Sequence, residues 1–313
     1  MSRLHDVLIE RGQLELVLNA QDKEERRRIG VAAEILSDEA QRIAFTHPGM
    51  CLTVLPYKRI PDDQSWIREQ GDVELSVHPI PNESRRRLGV PYGSKARLIL
   101  LFLQTEAVKT RSRVVELGNS MNMWMARMGV SVGGTSYRII EEQAERIEHS
   151  IITFSFRRSE GRIRWQDSII RGSFDPFGRR GQEEFASKTV ELSETFFEAI
   201  MRHPVPISER AIQLLGERCM PLDIYLWLAY RLHSLEDSIA ISWPALFTQF
   251  GANTQMLKHF KPRFARDLEM ALAAYQDARV ELTERGVVLH PSTPPVTPRL
   301  RVLTGSKMGT HRS

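Results

Sequence analysis

The sequence predicts an α+β protein that is mostly helical and carries short β-hairpins. Apolar residues recur at a spacing of three or four, which is the period of a helix that buries one face. Two stretches, ITFSFRRSEGRIRW and VELTERGVVL, alternate on both sides of a glycine-containing turn, which is typical of a hairpin. One order of elements also occurs twice along the chain. This repetition predicts two related domains.

Length and composition are those of a multidomain globular protein. The 313 residues exceed what one core usually supports, and 42% of them are hydrophobic while 26% are charged. The net charge of +4 permits a polyanionic partner without requiring one. The two cysteines, Cys51 and Cys219, form no Cys-x-x-Cys pair. We therefore expect no disulfide framework, metal site or cofactor.

Targeting signals are not apparent in the sequence. The first residues, MSRLHDVLIERGQLELVLN, lack the apolar core of a secretory signal, and the apolar run LILLFL is far too short to cross a bilayer. We expect a cytoplasmic protein without a membrane partner.

The chain before the first repeat is predicted to hold helices and then strands. Residues 1–45 are rich in Glu, Arg, Leu and Ile, which indicates one or two surface helices that cover the first domain or recruit a partner. Of these roles, packing is expected first. MCLTVLPYK and DVELSVHPI are β-branched runs interrupted by prolines, and both favour short strands.

The first repeat begins at Ser94. SKARLILLFLQTEAVKT predicts a core helix, RVVELG a strand, NSMNMWMARMGV a second helix that ends near Gly129, and TSYRIIEEQAERIEHS a third helix. The hairpin ITFSFRRSEGRIRW follows. Helix, strand, helix, turn, helix and hairpin is the order of a winged helix-turn-helix domain.

The second repeat has the same order without close sequence identity. PLDIYLWLAYRLHSL predicts an apolar helix, IAIS a strand and WPALFTQF the next helix, and Gly251 begins the turn. A further helix extends to about Tyr275, and VELTERGVVL forms the second wing. Together the repeats predict tandem winged-helix domains, with these boundaries: an N-terminal helical segment (1–45), a first winged-helix domain (46–172), a connector (173–188), a second winged-helix domain (189–290) and a disordered basic tail (291–313).

Charge distinguishes the two predicted recognition helices. Residues 136–150 carry two arginines against four glutamates, whereas residues 254–270 carry four basic against two acidic residues. Because a reading helix must not repel phosphates, the second domain is predicted to read DNA and the first to clamp it or to form a dimer. The candidate reading residues are Thr254, Gln255, Lys258, His259, Lys261, Arg263 and Arg266.

The wings supply a second set of candidates. Residues 157–180 contain seven arginines against three acids, and arginines on a wing typically contact the phosphate backbone. The candidate backbone contacts of the wings and connector are Arg157, Arg158, Arg162, Arg164, Arg179, Arg180 and Arg285.

Alternative interpretations are simpler. A cationic helix face is often only solvated, an arginine-rich hairpin is often only a soluble edge, and Trp243 and Phe264 are predicted to be core residues. Pro262 lies inside the predicted reading helix, so the helix either bends there or effectively begins near Lys261. No phosphate loop, metal-binding His motif or nucleophile elbow occurs, and we expect no enzymatic activity.

Several motifs follow one another along the chain: GVPYGSKARLILLFLQTEAVKT, SFDPF, VELSETFFEAIMRHPVPI, PLDIYLWLAYRLH, ISWPALFTQFG and FKPRFARDLEMAL. In this order they resemble the plasmid-encoded RepA family of replication initiators, and the resemblance covers roughly residues 45–295. The resemblance implies a protein that binds repeated double-stranded sites at a plasmid origin and recruits host replication proteins. By analogy with other tandem winged-helix initiators, it also implies a monomeric form that binds the origin and a homodimer that binds the operator of its own gene, with the first winged-helix domain contacting the DNA backbone or forming the homodimer.

Two other functions remain open at this point. A winged-helix transcriptional repressor, including an autorepressor, would have the same architecture. An interaction scaffold would use its winged helices to bind proteins and would show no salt-dependent affinity for duplex DNA.

Overall fold

The computed structural model describes residues 4–158, 161–171, 188–252 and 254–296. In this part of the chain, helices alternate with small antiparallel sheets, which confirms the predicted α+β class. The helices are α1 (Leu4–Arg11), α2 (Gln13–Asn19), α3 (Lys23–Leu36), α4 (Pro48–Leu52), α5 (Gly93–Thr110), α6 (Met121–Arg127), α7 (Gly134–Glu148), α8 (Glu194–Arg202), α9 (Glu209–Leu215), α10 (Cys219–Arg231), α11 (Trp243–Phe250) and α12 (Leu257–Ala273).

Twelve strands of the described residues form four small sheets. They are β1 (Ile43–Thr46), β2 (Trp66–Gln70), β3 (Val73–Pro79), β4 (Val114–Gly118), β5 (Ser150–Arg158), β6 (Gly161–Ser168), β7 (Ile170–Arg171), β8 (Lys188–Leu192), β9 (Val205–Ser208), β10 (Ile239–Ser242), β11 (Arg279–Thr283) and β12 (Gly286–His290). The sheet orders are β1-β9, β2-β3-β5-β6, β4-β8-β7 and β10-β12-β11.

Serine and aspartate side chains begin many of these helices. Asp22 accepts a hydrogen bond from the Glu25 amide at the start of α3, and Ser242 accepts one from the Ala245 amide at the start of α11. Such bonds satisfy amides that have no partner within the helix. The short polar residues before each apolar run therefore fix where these helices start.

The repeated order predicted from the sequence is present in the structure. The first copy runs α5, β4, α6, α7, β5, β6, and the second runs α10, β10, α11, α12, β11, β12. The sheets differ, however. In the second copy β10, β12 and β11 form one sheet, whereas in the first copy β4 pairs with β8 and the hairpin β5–β6 joins β3. In the first copy the hairpin therefore pairs with β3 instead of with β4.

The two copies share one core through their first helices. Helices α5 and α10 are both mostly buried, and Leu100, Leu103, Leu222 and Leu228 have almost no exposed surface. A buried ion pair between Arg97 of α5 and Asp223 of α10 joins them. This contact fixes the position of the second copy on the first.

Several predicted elements differ from the structure. The segment MCLTVLPYK is not a strand: Pro48–Leu52 is a short helix, with Pro48 in its first turn and His47 accepting a hydrogen bond from the Gly49 amide. A short apolar run does not distinguish a buried helix from a strand, and here the proline and the cap decide. Helix α12 begins at Leu257 rather than near Lys261, and Pro262 is accommodated on its exposed face.

The N-terminal segment forms three helices and strand β1, not one or two helices. Helix α3 packs against α12 of the second copy and against α9, whereas strand β1 packs against α5 of the first copy. Arg28 pairs with Glu269, and Glu24 pairs with Arg218. Strand β1 pairs with β9. Helix α3 therefore packs within the protein, and α12 is one of the helices on which it packs.

Candidate nucleic-acid interface

The turn before α12 leaves the start of that helix open. Helix α11 ends at Phe250, the Thr254 amide donates to the Gly251 carbonyl (2.9 Å), and Met256 at the N-cap has no side chain that can accept from the first amides. Met256 is 48% exposed. An uncapped helix start with exposed flanks is a site where amides and the helix dipole favour phosphate.

An aromatic cluster decides which face of α12 points outward. Phe260 and Phe264 are fully buried, and each packs edge-on against Trp243, with ring centroids 6.4 Å and 5.9 Å from it. Phe250 of α11 contacts Phe264 at 5.4 Å. Because this face is fixed by packing, residues half a turn away are held towards solvent.

The predicted reading residues divide into two groups. Gln255, Lys258, His259 and Arg266 are exposed, and none of the three on α12 forms a salt bridge with another described residue. These side chains lie on the outward side of the helix and on the turn before it. They are the groups that a polyanion would meet first.

Three other predicted residues are already engaged or partly covered. The Lys261 ammonium lies 5.6 Å from the centre of the Trp243 ring, and Arg263 Nε lies 3.9 Å from Asp267 on the same helix. Thr254 is half-buried in the turn. Lys261 is stacked on Trp243, and Arg263 is partly neutralised by Asp267. Both are therefore weaker candidates for contacts with DNA.

The second hairpin is fastened to the start of α11, next to this surface. The Trp243 amide donates to the Arg285 carbonyl and its indole Nε1 donates to the Glu284 carbonyl, both at 3.0 Å. Arg285 is exposed at the tip of the β11–β12 turn. Since Trp243 also carries Lys261 on its ring, one indole holds the predicted wing residue close to the predicted reading helix.

The two acids in the second half of α12, Asp267 and Glu269, are paired within the protein. Arg28 of α3 pairs with Glu269, and Arg218 pairs with both Glu24 and Asp267, the latter at 2.7 Å. The two acids that follow the cationic segment therefore form ion pairs with basic side chains outside α12.

The corresponding helix of the first copy exposes acids. Glu141 and Glu145 are exposed on α7, whereas Arg146 is buried, with its guanidinium 3.3 Å from Asp62 and 3.0 Å from Glu142. Arg138 is the exposed cation of this helix. Arg146 therefore serves packing, and the contrast in charge between the two helices is larger than a count of residues predicts.

The first hairpin is described only in part. Arg157 is exposed on β5, and Arg158, Arg162 and Arg164 belong to β5 and β6, where the strand positions alone are described. Arg179 and Arg180 lie outside the described residues. Their predicted contacts with the DNA backbone stay predictions.

The sequence did not predict two long-range hydrogen bonds that hold the turn before α12. Arg68 of strand β2 donates to the Ala252 carbonyl (3.5 Å), and Gln249 of α11 donates to the Leu52 carbonyl (3.0 Å). These partners are separated by more than 180 residues, and no local pattern indicates such a contact. They brace the turn that precedes α12 against the first copy.

Within the described ranges, no cluster of three or more His, Cys, Asp or Glu side chains is arranged to hold a metal ion. No helix in these ranges has the length and apolar character needed to span a bilayer.

The fold and this surface define an α+β protein that presents a cationic helix beside a β-hairpin. Residues 90–244, about half of the chain, match the family model described as plasmid encoded RepA protein. The chain belongs to this replication-initiator family, which confirms the resemblance seen in its motifs. Membership supports a role in plasmid replication initiation.

Other comparisons add little. A selenomethionine derivative of domains 2 and 3 of RctB has a TM-score of 0.47 and 12% identity, with 78% of this chain and 95% of that chain covered. A second crystal structure of RctB domains 2–3 has a TM-score of 0.46 and 13% identity, covering 77% and 94%. Similarity at this level indicates neither function nor a detailed fold. No curated protein matched the sequence.

Proposed function

We propose that this protein is a plasmid replication initiator that binds repeated sequences at the plasmid origin, with the second copy acting as a sequence-specific winged helix. The observation that carries the proposal is the exposed cationic face of α12. Lys258, His259 and Arg266 project from a helix whose other face is locked by an aromatic core. Membership of the RepA family supplies the biological setting.

The geometry supports entry of α12 into the major groove by its N-terminal half. A major groove about 12 Å wide admits one helix, and the end that enters carries the base-reading residues. Gln255 and His259 offer hydrogen bonds to base edges, while Lys258, Arg266 and the open helix start contact phosphates. Arg285 on the wing contacts the backbone of the same duplex.

The first copy has a supporting role in this proposal. Its exposed Arg157 and the other predicted wing arginines contact the DNA backbone and add salt-sensitive affinity. The protein acts in the cytoplasm by binding, without catalysing a reaction, and recruits host replication proteins to the origin. Formation of a homodimer through residues 46–172 stays a prediction.

A gel-shift titration against origin repeats tests the reading helix. Combining Lys258→Ala with Arg266→Ala should weaken binding about 10- to 100-fold, because two charge-assisted contacts are lost. The dependence of log K on log salt should become shallower by about 2. The matched control combines Arg42→Ala with Arg202→Ala, which removes equal charge from side chains that are 72% and 74% exposed and lie off α12.

Two results would contradict the assignment. One is equal loss of affinity in the control, which would indicate an effect of net charge alone. The other is unchanged binding by the α12 variant. Loss of plasmid maintenance together with loss of origin binding separates an initiator from a repressor, since replication does not depend on a repressor.

A further inference from the structure

Met256 occupies the N-cap position of α12, where helices usually carry a short polar residue. Serine, threonine, aspartate or asparagine at this position accepts a hydrogen bond from one of the first amides and stabilises the helix. Met256 makes no such bond, whereas Ser208 caps α9 and Ser242 caps α11. The start of the predicted reading helix is therefore less stable with methionine than it would be with serine.

Packing does not explain this methionine either. Met256 is 48% exposed, and among the described residues 254–273 it is the one large apolar side chain that is exposed. Its neighbour Leu257 packs against the apolar core, and Phe260 and Phe264 are fully buried. Single exposed apolar side chains are ordinary on protein surfaces, but this one replaces a cap at the end of α12 that the proposed function places in the groove.

Backbone hydrogen bonds fix Met256 beside the polar candidate residues. Its carbonyl accepts hydrogen bonds from the amides of His259 (3.1 Å) and Phe260 (3.2 Å), so the residue is part of the first turn of α12. Exposed Gln255 precedes it, and exposed Lys258 and His259 follow within one turn. The apolar side chain of Met256 is therefore presented at the same end of α12 as these three polar side chains.

We propose that Met256 recognises thymine in the major groove by contacting the C5-methyl group of the base, an inference that rests on the proposed function. The N-terminal residues of a recognition helix contact base edges, and thymine is the base that presents a methyl group there. The unbranched, polarizable side chain of methionine adapts its shape to such a group. Gln255 and His259 supply hydrogen bonds, and Met256 adds a contact that distinguishes thymine from bases without the methyl group.

Replacing Met256 by serine separates recognition from a structural role. The backbone of Met256 is extended, with φ −128° and ψ 133°, which is the conformation of an N-cap, so serine fits without strain and supplies the missing cap. The midpoint of thermal unfolding should therefore rise by about 2 °C. The salt dependence of origin binding should be unchanged, because no charge is lost. A methionine that only supported the helix would give the opposite result, a lower midpoint.

Uracil substitution in an origin repeat tests the contact with the base. Uracil differs from thymine only in lacking the C5-methyl group, so replacing one thymine at a time removes the proposed partner and no hydrogen bond. In a gel-shift titration of the parent protein, at least one such position should weaken binding about 3- to 10-fold, as expected when one buried methyl group is lost. Met256→Ser should bind the two repeats equally at that position, whereas Met256→Leu keeps an apolar side chain and should keep the difference.

Met123→Ser is the matched control. Met123 lies on α6 of the first copy and is 47% exposed, so the same side chain is removed at equal exposure, and the response to uracil should equal that of the parent. A parent that binds every uracil repeat as tightly as the thymine repeat, a serine variant of Met256 that still distinguishes them, or a control that does not would overturn this inference and leave the proposed function intact. A parent that binds no origin repeat would refute the proposed function itself.

Discussion

The ion pair between Arg97 and Asp223 joins the first helices of the two copies and is buried at 4% and 6% side-chain exposure. Arg97 Nε and Nη2 each donate to one carboxylate oxygen at 2.7 Å. The remaining donors reach three backbone carbonyls, those of Leu55, Pro56 and Gly93, at 2.8 to 3.3 Å. Every charged atom of the pair therefore has a partner.

Replacing Asp223 by alanine should lower the free energy of unfolding by about 3–5 kcal/mol, because the guanidinium then stays buried without its counter-charge. Replacing Arg97 by methionine should cost a similar amount. The double variant Arg97→Met with Asp223→Leu should cost less than the sum, since two apolar side chains can fill the space without a charge.

Urea unfolding followed by circular dichroism measures these free energies. The exposed pair between Lys109 and Glu209, 3.1 Å apart, provides a control, and Lys109→Ala should cost less than about 1 kcal/mol. The reasoning is refuted if Asp223→Ala costs no more than the control, or if the two single effects simply add. Origin binding by a variant that is still folded should equal that of the parent, because neither side chain faces solvent.

Two further predictions concern backbone strain and pH. Gly286 has φ 153°, and a methyl group there would collide with the Ile241 carbonyl oxygen, so Gly286→Ala should destabilise the protein by about 3 kcal/mol in a thermal melt and weaken origin binding. Gly71→Ala, at φ 55° with open space around it, should cost only about 1 kcal/mol; equal losses would contradict the steric argument. Burial lowers the pKa of His47 to about 4, so its neutral form stabilises the fold above pH 6.5 and this contribution is lost as the pH falls towards 4. In urea unfolding, the free energy of unfolding should fall by about 2 kcal/mol between pH 7 and pH 5. The variant His47→Asn should lose that part of the pH dependence. An unchanged pH profile in this variant would exclude His47 as its source.

Local signals predicted the second copy well. Ser242 before an apolar run and Gly251 after it define α11, and Glu284-Arg285-Gly286 defines the hairpin turn. These signals act over a few residues, so the chain itself contains the needed information. The same holds for the helical pattern of Phe260 and Phe264, whose burial confirms the predicted inner face.

Contacts between distant residues were not predictable in this way. The pairing of β1 with β9 and of β4 with β8, and the packing of α3 on α12, depend on which surfaces meet after the helices have formed. Short apolar segments such as residues 48–52 have no periodicity long enough to separate helix from strand. Tertiary packing decides both.

The sequence by itself determined most of the helices, both hairpins, the concentration of cations on α12 and the resemblance to RepA, because propensity, periodicity and motif order are local properties. Only the tertiary structure decided which cations are available. Lys261 stacks on Trp243, Arg263 lies near Asp267 and Arg146 is buried, whereas Lys258 and Arg266 are exposed. The physical reason is that a charge is free to bind a partner only where folding has neither buried it nor paired it with an opposite charge.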